Sequence, residues 1–140
     1  MSAVDYRRRR VATFMALADE EMKASERLLE ELPRQSAFFQ QQAAEKMLRA
    51  VLEVESIPAG PTHNLRTLTE LLASSNPMRA DFLEIEDWSS AATRFRYPGG
   101  SGEAPTASVS TLRVRAIRLE SLWKAVGRYV VARTKELEKL

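Results

Sequence analysis

The sequence contains no cysteine and a single histidine, His63. Without thiols the chain can form no disulfide, no thiolate metal site and no cysteine nucleophile, and this composition suits a reducing compartment. One imidazole is too few for the usual zinc and di-iron clusters, so a metal ion would have only oxygen ligands. We therefore predict neither a metal site nor a resident cofactor.

Long apolar runs are also missing, since no stretch approaches the ~20 residues that a membrane-spanning helix needs. The N-terminal region imitates a signal peptide, because the basic run Arg7–Arg10 is followed by apolar residues and by Ala16-Leu17-Ala18, which resembles a cleavage site. The apolar segment between the arginines and this site is, however, shorter than the roughly 7–15 residues of a signal core. The formal charge of +2 comes from interleaved acids and bases, which does not indicate a nucleic-acid coat. We expect a soluble, cytoplasmic protein with no membrane contact.

Glycine is scarce outside one segment, the Gly-Gly-Ser-Gly-Glu-Ala-Pro of residues 99–105. We interpret this low-complexity stretch as a loop rather than a linker between domains. The chain of 140 residues has about the length of one domain with one core. A single helical domain over residues 1–140 is predicted.

Residues 38–52 contain neither glycine nor proline and carry apolar residues at helical spacing. At ~100° per residue, the apolar face holds Phe39, Ala43, Met47, Ala50, Val51 and Val54. The opposite face holds Gln41, Gln42, Glu45, Arg49 and Glu53, with Lys46 at the seam. This pattern predicts a core helix from about Arg34 to Glu55. Phe38, Leu48 and Leu52 point away from the main apolar face, so we expect a symmetric homodimer that covers them.

Apolar spacing predicts four further helices. The first runs from about Asp5 to Leu32, and the last from about Ser108 to the C-terminus. A short third helix begins after a cap at Thr62, with His63 as its first residue, and a fourth begins at Asn76-Pro77. No segment shows the alternation of a strand. The predicted fold class is all-α, an antiparallel up-and-down helical bundle of four to five helices, in which the second and last helices supply most of the core.

Two basic groups stand out in this arrangement. Arg7–Arg10 fall in the predicted first turn of the first helix, where they oppose the helix macrodipole, so this end is either frayed or matched to an anionic surface. Arg113, Arg115 and Arg118 lie at the edge of the last apolar stripe. They are expected to extend Arg7–Arg10 into one basic strip.

Four segments in order resemble the HEPN domain family, in its nucleotidyltransferase-associated branch. They are Glu-Arg-Leu-Leu-Glu-Glu-Leu at 26–32, a helix containing Gln-Gln-Ala-Ala-Glu-Lys within 39–50, Thr-His-Asn-Leu-x-x-Leu at 62–68, and Arg-Tyr-Pro at 96–98. The resemblance implies a four- to five-helix bundle, commonly a homodimer, that works beside a small nucleotidyltransferase. One branch of the family consists of metal-independent ribonucleases, some of them toxins of toxin-antitoxin pairs.

The ribonuclease branch carries an Arg-x4-6-His motif, which would place a cation and a proton-transfer group beside a scissile phosphate. This chain departs from that pattern. His63 precedes every arginine of the fourth and fifth helices, and Arg94 and Arg96 lead into Tyr97-Pro98. We therefore predict no catalytic residue.

Five residues are predicted to converge on one nucleotide pocket, in which cations neutralise phosphates and an aromatic ring stacks on a base. They are Lys46, His63, Arg94, Arg96 and Tyr97. Each has a purely structural alternative: Lys46 can lay its stem on apolar surface with its head in water, His63 can cap or pack a helix, and Arg96-Tyr97-Pro98 can fix the chain's exit from the fourth helix.

These observations lead to one functional hypothesis with two alternatives. The first is a non-catalytic HEPN-like nucleotide-binding or accessory protein, acting as a homodimer or with a nucleotidyltransferase, with contacts to nucleotide or RNA phosphates. The second is a divergent, toxin-like HEPN ribonuclease. The third is a structural interaction module whose basic ends recognise an acidic protein.

Overall fold

The computed structural model describes residues 1–90, 97–103 and 106–140, without the side chains of residues 89 and 90. The helices are α1 Ala3–Leu28, α2 Pro33–Val54, α3 Leu65–Glu70, α4 Arg79–Leu83, a 3-10 helix Glu86–Ser90, and α5 Val109–Glu138. The described residues contain no strand, which confirms the all-α prediction. None of the described helices is long and apolar enough to cross a membrane.

α1 begins earlier than the sequence predicts because Ser2 caps it, accepting a hydrogen bond from the amide of Asp5 at 3.1 Å. Asp5 places a negative charge in the first turn, where the macrodipole favours it. Arg7–Arg10 therefore lie beyond the first turn, and the expectation that they oppose the dipole there is wrong. Arg10 instead pairs with Glu53 of α2 at 2.8 Å.

The helix ends follow the chemistry of single residues. α1 stops at Leu28 rather than Leu32, and Pro33 begins α2 at a position where its missing amide hydrogen is not needed. α2 ends in a left-handed residue, Ser56 with φ 61°, and the amide of Ile57 donates to the carbonyl of Leu52 at 2.9 Å. This closing pattern turns the chain sharply back toward α2.

The direction of the long helices is fixed by contacts at both ends. Gln40 Nε2 donates to the carbonyl of Leu112 at 2.8 Å, near the start of α2 and of α5. Arg133 meets Glu55 at 2.9 Å, near the end of both helices, so α2 and α5 run parallel. α1 runs antiparallel to α5, because Trp123 Nε1 donates to the carbonyl of Met15 at 3.0 Å and Arg8 pairs with Glu138.

Between α2 and α5, the described residues form only short helices. The predicted continuous fourth helix is wrong, since α4 and the 3-10 helix are short pieces. Apolar spacing also assigns Ala92 and Phe95 to that helix, and both lie outside the described residues. Asn76 does cap this region, its Oδ1 accepting from the amide of Met78 at 2.9 Å. Among the side chains that apolar spacing assigns to the buried face of this region, Met78, Phe82 and Ile85 are buried as expected. Trp88, predicted to lie beside that face, is buried as well.

A main apolar cluster runs through the bundle, and a small second cluster joins Leu29, Ala37 and Leu112. α2 and α5 supply more than half of the buried apolar side chains among the described residues, as predicted. Leu48 and Leu52 are 0% and 1% exposed within the single chain, in the same cluster as Leu65 and Leu68 of α3. The prediction that they point outward is wrong, because α3 packs against that side of α2. The homodimer stays a prediction, without these two residues to support it.

Met47 lies at the centre of this core with no exposed surface. We expect Met47→Asp to lower the free energy of unfolding by about 4 kcal/mol or more, since it buries an unpaired carboxylate. Urea unfolding followed by circular dichroism measures the change. Ser121→Asp, on the exposed side of α5, controls for the low helix propensity of aspartate and is expected to change the midpoint little. Equal midpoints for the two variants would contradict this burial.

Tyr129 of α5 connects three parts of the bundle. Its hydroxyl donates to the carboxylate of Glu55 and accepts from Asn76 Nδ2 at 3.1 Å. Burial, and then the hydrogen bond to Glu55, raise the pKa of Tyr129 from 10.0 to about 12. Because the folded pKa lies above the unfolded one, this stabilisation is complete below pH 10 and is lost as the pH rises through about 12.

The pH dependence of unfolding tests this connection. We expect the midpoint of urea unfolding to fall for the parent protein between pH 10 and about 12, and to fall less for Tyr129→Phe, which has no phenol to ionise. The two proteins differ only in this hydroxyl, so the difference between the two curves isolates Tyr129. Parallel curves over this range would show that the hydroxyl does not contribute in this way.

Candidate functional site

A row of polar side chains on α2 faces the segment that follows this helix. Gln41, Glu45 and Arg49 are spaced four residues apart, so they lie on one side of the helix. Gln41 is 0% exposed and Glu45 is 2% exposed. Their assignment to a solvent face is wrong, because residues 57–64 fold back along α2 and cover them.

Arg49 holds this returning segment. Its Nε lies 3.3 Å from Glu45 Oε2, its Nη1 donates to the carbonyl of Gly60 at 3.2 Å, and its Nη2 donates to the carbonyl of Thr62. Gln41 Nε2 donates to the carbonyl of His63 at 3.3 Å. These donors satisfy carbonyl groups that no helix or strand satisfies, which a covered backbone requires.

His63 lies near the end of the returning segment, with its imidazole next to the carboxylate of Glu45. Its Nδ1 is 3.1 and 3.2 Å from the two carboxylate oxygens of Glu45, while the side chain is 71% exposed. It is not the first residue of α3, because Asn64 caps that helix by accepting from the amide of Thr67 at 3.1 Å. The predicted cap, Thr62, instead accepts from the amide of Asn64.

Lys46 faces the other side of α2, toward α1. Its Nζ lies 3.0 Å from Glu21 Oε1 and 3.4 Å from Gln42 Oε1, and only 18% of the side chain is exposed. Burial raises the pKa of Glu21, although the neighbouring Lys46 opposes this shift. The ammonium group therefore serves an ion pair between two helices, neither extending into water nor standing free for a phosphate.

A hydrogen bond between adjacent glutamines joins the two sides of α2. Gln42 Nε2 donates to Gln41 Oε1 at 2.7 Å, so the interactions run from Glu21 through Lys46 and the glutamines to the carbonyl of His63. Lys46 and His63 thus belong to one polar network. They do not face a common space, since one points to α1 and the other lies on the returning segment.

The remaining predicted site residues are in the connection to α5. Tyr97 is 59% exposed, and no hydrogen bond among the described residues links it to Lys46 or His63. Arg94 and Arg96 lie outside the described residues. Of the five residues, the structure links only Lys46 and His63, through hydrogen bonds that end at the backbone carbonyl of His63. The five-residue pocket stays a prediction.

The predicted basic strip from Arg7–Arg10 to α5 does not form. Arg113 pairs with Glu30, while Arg8 pairs with Glu138, because α1 and α5 are antiparallel. Along α5, at 1.5 Å per residue, Arg113 lies about 37 Å and Arg118 about 30 Å from Glu138, the partner of Arg8. Arg118 is itself committed to α4 and the turn after it, with Asp81 and Glu84 at 3.0 and 2.8 Å.

A second surface, which we call the α1 stripe, consists of Tyr6, Arg9, Arg10 and Phe14. The guanidinium of Arg10 lies between two aromatic rings, 5.8 Å from the centroid of Tyr6 and 5.4 Å from that of Phe14. Sequence analysis missed this stripe because it treated the arginines as a charge run. The spacing of four residues from Tyr6 to Arg10 to Phe14 is the signal that identifies one helix face.

The sequence profile of the HEPN domain matches residues 11–121, which cover most of the helical bundle. The chain belongs to the HEPN domain family. No curated protein and no solved structure gives a significant match to it. The matched residues of this HEPN protein include Lys46, His63 and Tyr97, whereas three residues of the α1 stripe precede the matched region. Membership in the nucleotidyltransferase-associated branch stays a prediction.

The two partners of Glu45 differ in burial, since Arg49 is mostly buried and His63 is mostly exposed. Their contributions to stability should differ accordingly. We expect Glu45→Ala to lower the free energy of unfolding by about 3–5 kcal/mol, because it leaves the guanidinium of Arg49 without its buried partner. His63→Ala is expected to cost less than about 1 kcal/mol, since the imidazole is mostly exposed. Urea unfolding of the two variants measures both values. Similar losses would mean that His63, rather than Arg49, is the partner that matters to Glu45.

Proposed function

We propose that this HEPN protein is a non-catalytic nucleotide-binding or accessory subunit that acts as a homodimer or with a nucleotidyltransferase partner. The observation that supports the non-catalytic part of this proposal is that the guanidinium of Arg49 is occupied by hydrogen bonds within the fold. This guanidinium shares the carboxylate of Glu45 with His63, yet its donors are directed to Glu45, Gly60 and Thr62. A phosphate at His63 would meet an imidazole without a free guanidinium from Arg49 to stabilise developing charge.

The nucleotide-binding part is supported by the residues of the connection to α5. The ring of Tyr97 is 59% exposed, which leaves its face available to a base, and Arg94 and Arg96 precede it closely in sequence. Guanidinium groups suit phosphates because they form paired, charge-assisted hydrogen bonds.

One observation favours the ribonuclease alternative. The buried carboxylate of Glu45 holds Nδ1 of an exposed imidazole, an arrangement that orients histidine for proton transfer in many enzymes. A ribonuclease of this kind would need its phosphate-stabilising cation from elsewhere, since Arg49 is occupied. The Arg-x4-6-His motif is absent from the sequence. We therefore rank this function second.

Nucleotide calorimetry tests the leading proposal. We expect nucleoside di- or triphosphates to bind the parent protein, and Arg96→Ala or Tyr97→Ala to weaken that binding about ten- to a hundredfold, the equivalent of about 1.5–3 kcal/mol. Arg128→Ala, an exposed arginine on α5, is the matched control and should bind like the parent. Equal affinities for all four proteins would refute the site.

An RNA degradation assay separates the two functions. The non-catalytic proposal requires that the purified protein leave single-stranded RNA intact in the presence of a chelator. Degradation that disappears in His63→Ala and persists in Arg128→Ala would replace the proposal with the ribonuclease alternative. The chelator matters because contaminating nucleases that use metal ions are then silent.

A further inference from the structure

The α1 stripe is a feature of this chain that the family match does not cover. Tyr6, Arg9 and Arg10 all precede residue 11, where the HEPN match begins. Tyr6 is 57% exposed, so packing within the bundle does not account for a large aromatic residue at this position. Its ring and the neighbouring arginines form an accessible surface in the first turns of α1.

The charge of this surface is only partly neutralised. Arg10 Nε is held by Glu53 at 2.8 Å, which fixes the guanidinium between the rings of Tyr6 and Phe14. Arg9 is exposed and makes no ion pair among the described residues. The paired guanidinium of Arg10 and the exposed side chain of Arg9 therefore lie beside the exposed ring of Tyr6.

Two adjoining cavities give the surface its shape. The first, of about 200 Å³, is lined by Tyr6, Arg9, Arg10, Thr13 and Phe14. The second, of about 220 Å³, shares Arg10 and Phe14 with the first and extends to Arg49, Glu53 and residues 57–60. We refer to these two cavities, which have Arg10 and Phe14 in common, as the cleft of the α1 stripe.

We propose that the α1 stripe and its cleft bind single-stranded nucleic acid. Phosphates contact Arg9 and Arg10, and unpaired bases stack on Tyr6 and enter the cleft beside Phe14. Aromatic faces interleaved with cations are the usual means of holding a single strand without reading its sequence. Stacked, paired bases of a duplex cannot offer their faces to Tyr6.

The composition around the stripe limits the size of the bound segment. Asp19 and Glu20 follow on α1, and their charges repel a phosphate backbone that continues along the helix. An acidic peptide would satisfy the arginines, but it offers no ring to the exposed face of Tyr6, so the aromatic residues favour a nucleic acid. This site is separate from the proposed nucleotide site near Tyr97 and does not depend on it.

Fluorescence anisotropy with a labelled single-stranded oligouridylate tests the proposal. We expect the logarithm of the association constant to fall against the logarithm of salt concentration with a slope of about −1.4, for two phosphate contacts. Arg9→Ala and Tyr6→Ala are expected to weaken binding about tenfold, while Tyr6→Phe retains the stacking face and binds like the parent. Both positions are exposed, so these variants should fold, and thermal unfolding confirms that they do.

Two further variants make the outcome specific. Arg128→Ala removes an exposed arginine from α5 and should leave oligouridylate binding unchanged. His63→Ala alters the proposed nucleotide site and reports any binding of the oligouridylate there. Loss of binding in His63→Ala with full binding in Arg9→Ala would overturn the proposal and move the strand to the His63 end. Equal displacement of the oligouridylate by polyglutamate at matched charge would also overturn it, because the surface would then recognise charge alone.

Discussion

The carboxylate of Glu45 is buried in the middle of α2 and is shared by Arg49 and His63. This interaction fixes the arginine, the arginine fixes the carbonyls of Gly60 and Thr62, and the returning segment is thereby held against α2. The position of α3 depends on it, because α3 begins directly after this segment. With α3 in place, Leu48 and Leu52 are covered by their own chain.

The same interaction separates the chemistry of the molecule into distinct places. Arg49 and Lys46 look like free cations in the sequence, but each is paired with a carboxylate and no more than 18% of either side chain is exposed, so neither is available to a ligand. The accessible polar and aromatic groups lie elsewhere, at the exposed ring of His63, at Tyr97, and on the α1 stripe. The polar groups of the central helix, α2, hold the fold together.

Buried polar residues account for predictions from the sequence that were wrong. Periodicity assigns Gln41 and Glu45 to water because it weighs only hydrophobicity. A glutamine or a carboxylate can be buried when neighbouring groups form hydrogen bonds with it, as the carbonyl of His63 does with Gln41, and Arg49 and the imidazole of His63 do with Glu45. The fourth helix was overestimated for a related reason: within the described residues, its apolar spacing is satisfied by short helical pieces packed on α3.

The sequence alone determined the all-α class, the three long helices, most of the core and the membership of the HEPN family, because these depend on local apolar spacing and on ordered motifs. Tertiary structure decided which charges are free. Ion pairs such as Lys46 with Glu21 and Arg113 with Glu30 join residues far apart in sequence, and the antiparallel course of α1 and α5 keeps the two basic groups apart. No local pattern encodes such pairings, since they arise only when the helices pack.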